Sequence, residues 1–238
     1  MKRAGERDSL IPADENRRMF DAIARRYDVM NRLISLGQDR RWRRRAVDAL
    51  GVAPGGCYLD IGTGTGDLCV EILRREPAAR VTGIDPAEGM LAIARDNLRR
   101  AGGSAALEVG DALALPYADR SFDGAISAFV IRNVEDRVQA LREMRRVVRP
   151  NGTIVILELT VPRGRIMRLL HRLFGVTLLP LAARALSNKE AYRYLVKSVR
   201  EFPAPDQFIG LMRQAGIREP ACTPLSGGIV TVFAGLAP

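Results

Sequence analysis

The run Asp60-Ile61-Gly62-Thr63-Gly64-Thr65-Gly66-Asp67 sets three glycines at alternate positions between two carboxylates. Glycines so spaced let a backbone turn sharply and approach a ligand closely. Dinucleotide sites use Gly-x-Gly-x-x-Gly and bring a pyrophosphate to the start of the next helix. Here the third glycine comes one position early, and Asp67 stands where a carboxylate would repel that pyrophosphate. No Gly-Lys-Ser/Thr follows, so a phosphate-cradling P-loop is excluded too. S-adenosylmethionine carries no phosphate, and its sulfonium and amino groups are cationic. The loop therefore favours S-adenosylmethionine, with Asp60, Gly62, Thr63, Gly64 and Gly66 as expected contacts.

Further residues fit the same ligand. Asp85 follows Gly62 by 23 positions (85 − 62), where an acidic side chain at a strand end can accept both ribose hydroxyls. Met90, one helical turn on, could cover the adenine face. In Gly110-Asp111-Ala112, the Asp111 carboxylate and a backbone amide at Ala112 could read the adenine edge. Ser127, on a later strand, is counted with this set.

These residues need a frame. Cys57–Ile61 reads as a strand before the glycines, and Leu68–Arg75 as a helix after them. Arg80–Ile84 and Ala106–Val109 read as strands around a helix at Ala87–Arg100. Gly124–Phe129 and Thr153–Leu159 read as strands around a helix near Val138–Val148, with a turn at Pro150-Asn151-Gly152. Strands alternating with helices at this spacing call for a mostly parallel α/β sheet, with the crevice at the strands' carboxyl ends. A helix near Asp206–Ala215 and a hairpin of Ile217–Thr223 with Ile229–Gly235 complete a Rossmann-like fold. Seven strands are expected, one antiparallel, with helices on both faces and helical cover segments. Residues 1–50 read as an N-terminal helical cover and 51–238 as the catalytic domain, with a helical insertion at about 160–200. Before Gly37, apolar residues recur at helical spacing from Met19 to Leu33, and a basic helix follows near Arg40–Leu50.

Composition narrows the function. No run of about eighteen apolar residues appears, so a membrane-crossing helix is not expected. The first residues lack the apolar core of a signal peptide, so a cytoplasmic protein is expected. Cys57, Cys69 and Cys222 fit neither a disulfide framework nor a zinc site, and no metal is expected. The net charge of +10 is uneven: residues 1–45 hold thirteen Lys/Arg against seven Asp/Glu, and residues 163–200 hold nine against one. Such segments suit an anionic surface, although ordinary solvated faces of an arginine-rich chain would look the same.

The chain resembles the ubiquinone/menaquinone biosynthesis C-methyltransferases (the UbiE/MenG family) over roughly residues 18–236. The resemblance rests on Phe20-Asp21-Ala22-Ile23-Ala24-Arg25-Arg26-Tyr27-Asp28-Val29-Met30-Asn31, Ser35-Leu36-Gly37, Trp42-Arg43, and Phe129-Val130-Ile131-Arg132-Asn133-Val134. Tyr192-Arg193-Tyr194-Leu195, Ser198, Phe202-Pro203 and Gly227-Gly228-Ile229 extend it. Three positions depart from the family pattern: Val130 for glycine, Val196-Lys197 for Pro-Glu, and Phe233 near a common histidine. The resemblance implies C-methylation of a prenylated quinol, most simply demethylmenaquinol to menaquinol. It is similar to a class I S-adenosylmethionine-dependent enzyme in fold.

Carbon methylation needs an electron-rich ring carbon, which a quinol provides once a ring hydroxyl loses its proton. Phenolic pKa values lie near 10, so lowering that cost is the main task besides alignment. The one histidine, His171, sits outside every motif. Arg132 is expected to stabilise the phenolate, Asn133 to bond the same oxygen, and Tyr27 and Asn31 to close over the methyl group. Phe129, Tyr192 and Tyr194 are assigned to the substrate. Ile166, Leu169, Leu170, Leu173 and Phe174, with Arg165, Arg168 and Arg172 beside them, would cover the prenyl tail and meet an anionic membrane. A homodimer stays open. Two rivals remain: an RNA or other lipophile methyltransferase, and a non-catalytic scaffold. An aromatic content of 5% is poor for base stacking, so no nucleic acid is expected.

Overall fold

The structure is a computed structural model that describes residues 13–162, 164 and 189–238. Helices α1 (Ala13–Ile34) and α2 (Asp39–Leu50) lead into alternating strands and helices. These are β1 (Cys57–Ile61), α3 (Asp67–Arg75), β2 (Arg80–Asp85), α4 (Glu88–Arg100), β3 (Ala106–Val109), β4 (Phe122–Ala128), α5 (Arg137–Val147) and β5 (Val148–Leu159). After the insertion come α6 (Lys189–Glu201), α7 (Pro205–Gln214), β6 (Arg218–Leu225) and β7 (Val230–Leu236). The seven strands lie in the order β3-β2-β1-β4-β5-β7-β6. β7 runs antiparallel to both its neighbours, and the other pairings are parallel.

The period-two pleat sorts each strand's side chains between two cores. Leu59, Ile154 and Ile156 pack with Leu141 and Met144 of α5 and with Phe208 and Met212 of α7. Tyr58, Val155 and Leu157 pack with Trp42 and Val47 of α2, Cys69 and Ile72 of α3, and Leu98 of α4. Strands buried on both faces explain why β1 and β5 read as nearly continuous apolar runs. α2 is thus part of the catalytic body. The boundary expected at residue 50 cuts through a helical layer, and α1 alone forms the described N-terminal cover.

Two local expectations change. Pro150-Asn151-Gly152 does not end a helix-to-strand turn; it is a bulge inside β5, where register jumps from Phe122↔Val148 to Gly124↔Thr153. Asn151 takes φ +64° there, and its N–H donates to the Ala237 carbonyl at 2.9 Å. Phe233 lies in the core, fully buried against Phe208 (centroids 4.6 Å apart), so its departure from the family pattern leaves the site untouched. The apolar stripe at 166–174, its arginines and His171 lie outside the described residues. Among those described, no helix is long and apolar enough to cross a membrane.

In the order β3-β2-β1-β4, successive connections leave β1 in opposite directions. That switch opens a crevice at the carboxyl ends of β1 and β4, as expected for a doubly wound sheet.

Candidate active site

The crevice holds a cavity of about 470 Å³. On the β1–β3 side it is lined by the glycine loop, by Asp60, Asp85, Met90, Asp111 and Ala112, and from α1 by Arg17 and Phe20. Gly62 and Gly64 take φ of +69° and +55°. The N–H groups of Gly62 and Thr63 both donate to the Ile84 carbonyl, at 2.8 and 3.0 Å, which ties the loop to β2. A Cβ on Gly64 would meet no protein atom, so that space is open for a ligand.

Asp60 is 1% exposed. Its Oδ2 accepts from Thr63 Oγ1 at 2.6 Å and Cys69 Sγ at 3.4 Å, while Oδ1 has no partner at all. Burial pushes its pKa up to about 6, against the lowering effect of those hydrogen bonds. A buried carboxylate with an orphaned oxygen in a cavity wall is a site for a cation. Asp85 accepts from Gly64 N–H and Ala87 N–H, each at 2.9 Å. Two of its four lone-pair sites are used, which leaves two for vicinal hydroxyls. Burial raises its pKa as well. Asp111 Oδ1 accepts from Leu113 N–H at 2.9 Å and so shapes the β3 turn.

Other assignments move. Gly66 does not line the cavity; its φ of +83° and the Ala94 Cβ, 3.1 Å from any added Cβ, make it a packing glycine against α4. Ser127 is fully buried, and its hydroxyl donates to the Ile61 carbonyl at 2.7 Å, joining β4 to β1 instead of meeting a ligand. Asp67 lines the cavity and shares one guanidinium with Asp39: Arg43 Nη2 lies 3.1 Å from Asp67 and Arg43 Nη1 3.0 Å from Asp39, so the trio keeps a net negative charge. Asp60, Asp67 and Asp85 thus together keep this wall of the cavity negative toward a cationic ligand.

Arg132 is the largest correction. It is 5% exposed and absent from the cavity lining. Its Nη1 lies 2.8 Å from Glu158 Oε1, and its backbone N–H donates to Glu158 Oε2 at 3.1 Å. Nη1 also donates to the Phe129 carbonyl. Phe129 takes φ +62°, a region that costs a non-glycine residue about 1–3 kcal/mol. Arg132 thus neutralises a fully buried glutamate and holds a strained turn, and the cavity is lined without it. The cavity group from this motif is Asn133, whose Oδ1 accepts from Tyr194 Oη at 3.0 Å. Tyr194 is therefore a positioning residue, and burial pushes its phenol up to about 12, so it stays protonated. Phe129 and Val130 line the cavity as well. Val130 sits directly over the loop, its Cγ2 2.3 Å from a Cβ built on Gly62. Asn31 is half-buried and outside the lining. The side chains of Tyr27 and Tyr192 lie outside the described residues.

The ubiE/COQ5 methyltransferase family model matches residues 11–237. The chain belongs to this family. A ubiquinone/menaquinone biosynthesis C-methyltransferase UbiE from Geobacter sulfurreducens is 42% identical over 222 residues, 92% of this chain and 87% of the relative. A demethylmenaquinone methyltransferase from Thermus thermophilus is 46% identical over 200 residues, 83% of this chain and 90% of the relative. In fold, the chain is similar to a solved SAM-dependent methyltransferase from Thermotoga maritima. That match has TM-score 0.65 at 24% identity, over 93% of this chain and 99% of the other. The cofactor of this methyltransferase is S-adenosylmethionine, and the orphaned oxygen of Asp60, the half-used carboxylate of Asp85 and the open space at Gly64 fit it.

Sequence reasoning missed the groups that hold the methyltransferase site from behind. Arg43 lines the cavity and lies over the Phe129 ring at 5.4 Å, while Trp42 meets that ring edge-on at 6.4 Å. Asp28 Oδ1 accepts from Thr65 Oγ1 at 2.6 Å, and Asn97 Nδ2 donates to the Thr65 carbonyl at 3.0 Å, so α1 is clasped onto the glycine loop. Glu158 had one visible signal: it is the lone charge in the apolar run of β5. Substitution at the cofactor side should be read directly by calorimetry. Asp85→Ala removes ribose acceptors and frees Gly64 and Ala87 N–H, so S-adenosylmethionine binding should weaken by about 1.5–3 kcal/mol. Gly64→Val should weaken it further, through strain at φ +55° and through occupation of ligand space. Native affinity in both variants would remove the loop from the cofactor site.

Proposed function

We propose that the protein methylates a ring carbon of a prenylated quinol, with demethylmenaquinol to menaquinol as its reaction type. The names of relatives at 42–46% identity support the quinol ring. The observation that carries the reading is one cavity with two walls of different chemistry. Carboxylates on the β1–β3 side meet cationic and hydroxyl groups, while Phe129, Val130, Val134 and the Asn133 amide beyond β4 offer an apolar slot with a single polar handle.

Bound S-adenosylmethionine supplies an electrophilic methyl on a sulfonium. The chain's part is to align an acceptor carbon and to lower the cost of ring ionisation. Asn133 Oδ1 accepts from Tyr194 Oη, and one Nδ2–H reaches the Phe129 carbonyl at 3.5 Å, so the second Nδ2–H is the one left for a ligand; such a donor stabilises a developing phenolate oxygen without taking its proton. Phe129 and Val130 exclude water from the ring face. The proton leaves to solvent or to the exposed Glu135 carboxylate at the cavity edge.

The test is methyl transfer to a short-tailed demethylmenaquinol kept reduced, at saturating S-adenosylmethionine. Asn133→Asp is nearly isosteric but replaces the donor with a negative charge, so turnover should fall about a hundredfold or more. Cofactor affinity should stay native. Tyr194→Phe should lose less, since it frees the amide to turn without removing it. For Asn133→Ala the deficit should narrow as pH rises toward the phenol's own pKa. An Asn133→Asp enzyme with native turnover would remove the amide from the chemistry, and methylation at oxygen would overturn the reaction type.

A further inference from the structure

The corner between α1 and α2 exposes an apolar surface among the described residues. Val29 and Leu33, four residues apart on α1, share a helix face, Leu36 follows two residues past the helix end, and the three are 53%, 53% and 65% exposed. Leu36 also takes φ +51°, so the chain bears left-handed strain to hold a large apolar side chain in water. The Gly37 beside it, at φ +74°, could carry the turn without that cost elsewhere. Arg32, Arg40 and Arg41 bracket the turn and are exposed. Between residues 29 and 45 the one carboxylate, Asp39, is buried and paired with Arg43. The inner face of the same α2 carries Trp42 and Arg43 against Phe129 at the cavity wall.

We propose that this α1–α2 corner docks on an anionic lipid bilayer, with Val29, Leu33 and Leu36 in the acyl boundary and Arg32, Arg40 and Arg41 among the phosphates. Aliphatic side chains ringed by arginines match the layered chemistry of that interface. RNA fits less well, because its bases stack on aromatic rings and the ridge has none. A second copy fits less well, because two-fold symmetry would set the same arginines against each other. Docking here would put the cavity one helix thickness from the bilayer. That purpose rests on the proposed lipophilic substrate; the docking itself does not.

The experiment is cosedimentation of the whole protein with vesicles of phosphatidylcholine alone or mixed with phosphatidylglycerol, at low and high salt. The native protein should favour the anionic vesicles at low salt. The double variant Leu33→Ser/Leu36→Gly keeps the backbone, since glycine adopts φ +51° freely. Its melting temperature and S-adenosylmethionine affinity should stay native while vesicle partition falls about tenfold or more. Arg40→Glu/Arg41→Glu should abolish the preference for anionic lipid and its salt dependence. Both variants should methylate a water-soluble, short-tailed quinol at native rates in vesicle-free solution. Equal recruitment of native protein by both vesicle types, or native partition in either variant, would overturn the proposal. So would a concentration-dependent dimer that the ridge variant dissolves. Failure of the native enzyme to methylate any quinol would count against the proposed function and leave vesicle binding as it stands.

Discussion

Arg132→Ala is expected to lower folding stability by about 3–5 kcal/mol, because it strands a fully buried glutamate without its cation. For a chain of 238 residues that corresponds to a fall of roughly 6–20 °C in melting temperature. Arg132→Lys should recover part of the loss, since both bonds come from the one nitrogen Nη1 and an ammonium can supply the charge, but a shorter, differently shaped side chain will not set it at the same point. Replacing both partners with apolar residues of similar volume should restore much of what the single change removes, because no unpaired charge is left behind. Residual activity per folded molecule should drop only as far as the Phe129 turn relaxes. The measurements are thermal melts beside initial rates corrected for folded fraction. If Arg132→Ala melted like the native protein and lost only turnover, the arginine would return to the chemistry.

The second large effect should come from Asp60→Asn, with stability and binding moving in opposite directions. The folded cofactor-free protein holds this carboxyl at about 6, above the ordinary 3.8, because burial penalises the charge. A carboxyl with a raised folded pKa favours the folded state while protonated, and that contribution is lost as pH rises from near 4 through about 6. At neutral pH the ionised group therefore costs the cofactor-free protein about 3 kcal/mol. Asparagine keeps an acceptor for Thr63 and removes the charge. The variant should melt higher than native at pH 7.5, with the difference fading toward pH 4. S-adenosylmethionine affinity should fall about tenfold to a hundredfold, because a charge-assisted contact is lost. In the native enzyme, affinity should decline as pH drops below about 6. Calorimetry at pH 5 and 8 reads both; an affinity indifferent to pH and to the substitution would place the ligand's cation elsewhere.

Asp60 shows how far residue type reaches. Its place at the end of a strand, before alternating glycines, was readable because local backbone geometry is encoded locally. The sequence favoured a cation through Asp60 and Asp67 together, yet Arg43, shared between Asp39 and Asp67, offsets part of that charge. Arg43 comes from α2, 24 positions away (67 − 43), and no periodicity predicts that pairing. Ser127 and Gly66 carry the same lesson. Both stand beside the crevice in sequence, but one hydroxyl is used between strands and one glycine lies under a helix.

The sequence by itself determined the alternation of elements, the glycine loop, the acids at the ends of β1, β2 and β3, and the family. Each depends on spacing within one βα unit, where chain connectivity dictates geometry. Only the tertiary structure decided which side chains of the Phe129–Val134 motif face the cavity. The chain there takes a left-handed step at Phe129 and a short 3-10 turn over Ile131–Asn133. That irregular path sends Arg132 inward to Glu158 and leaves Asn133 at the cavity wall. Glu158, 26 positions on at the end of β5, becomes its partner only when β4 and β5 pair in the sheet. A buried charge must find its counter-charge wherever folding brings one, and distance along the chain does not record where that is.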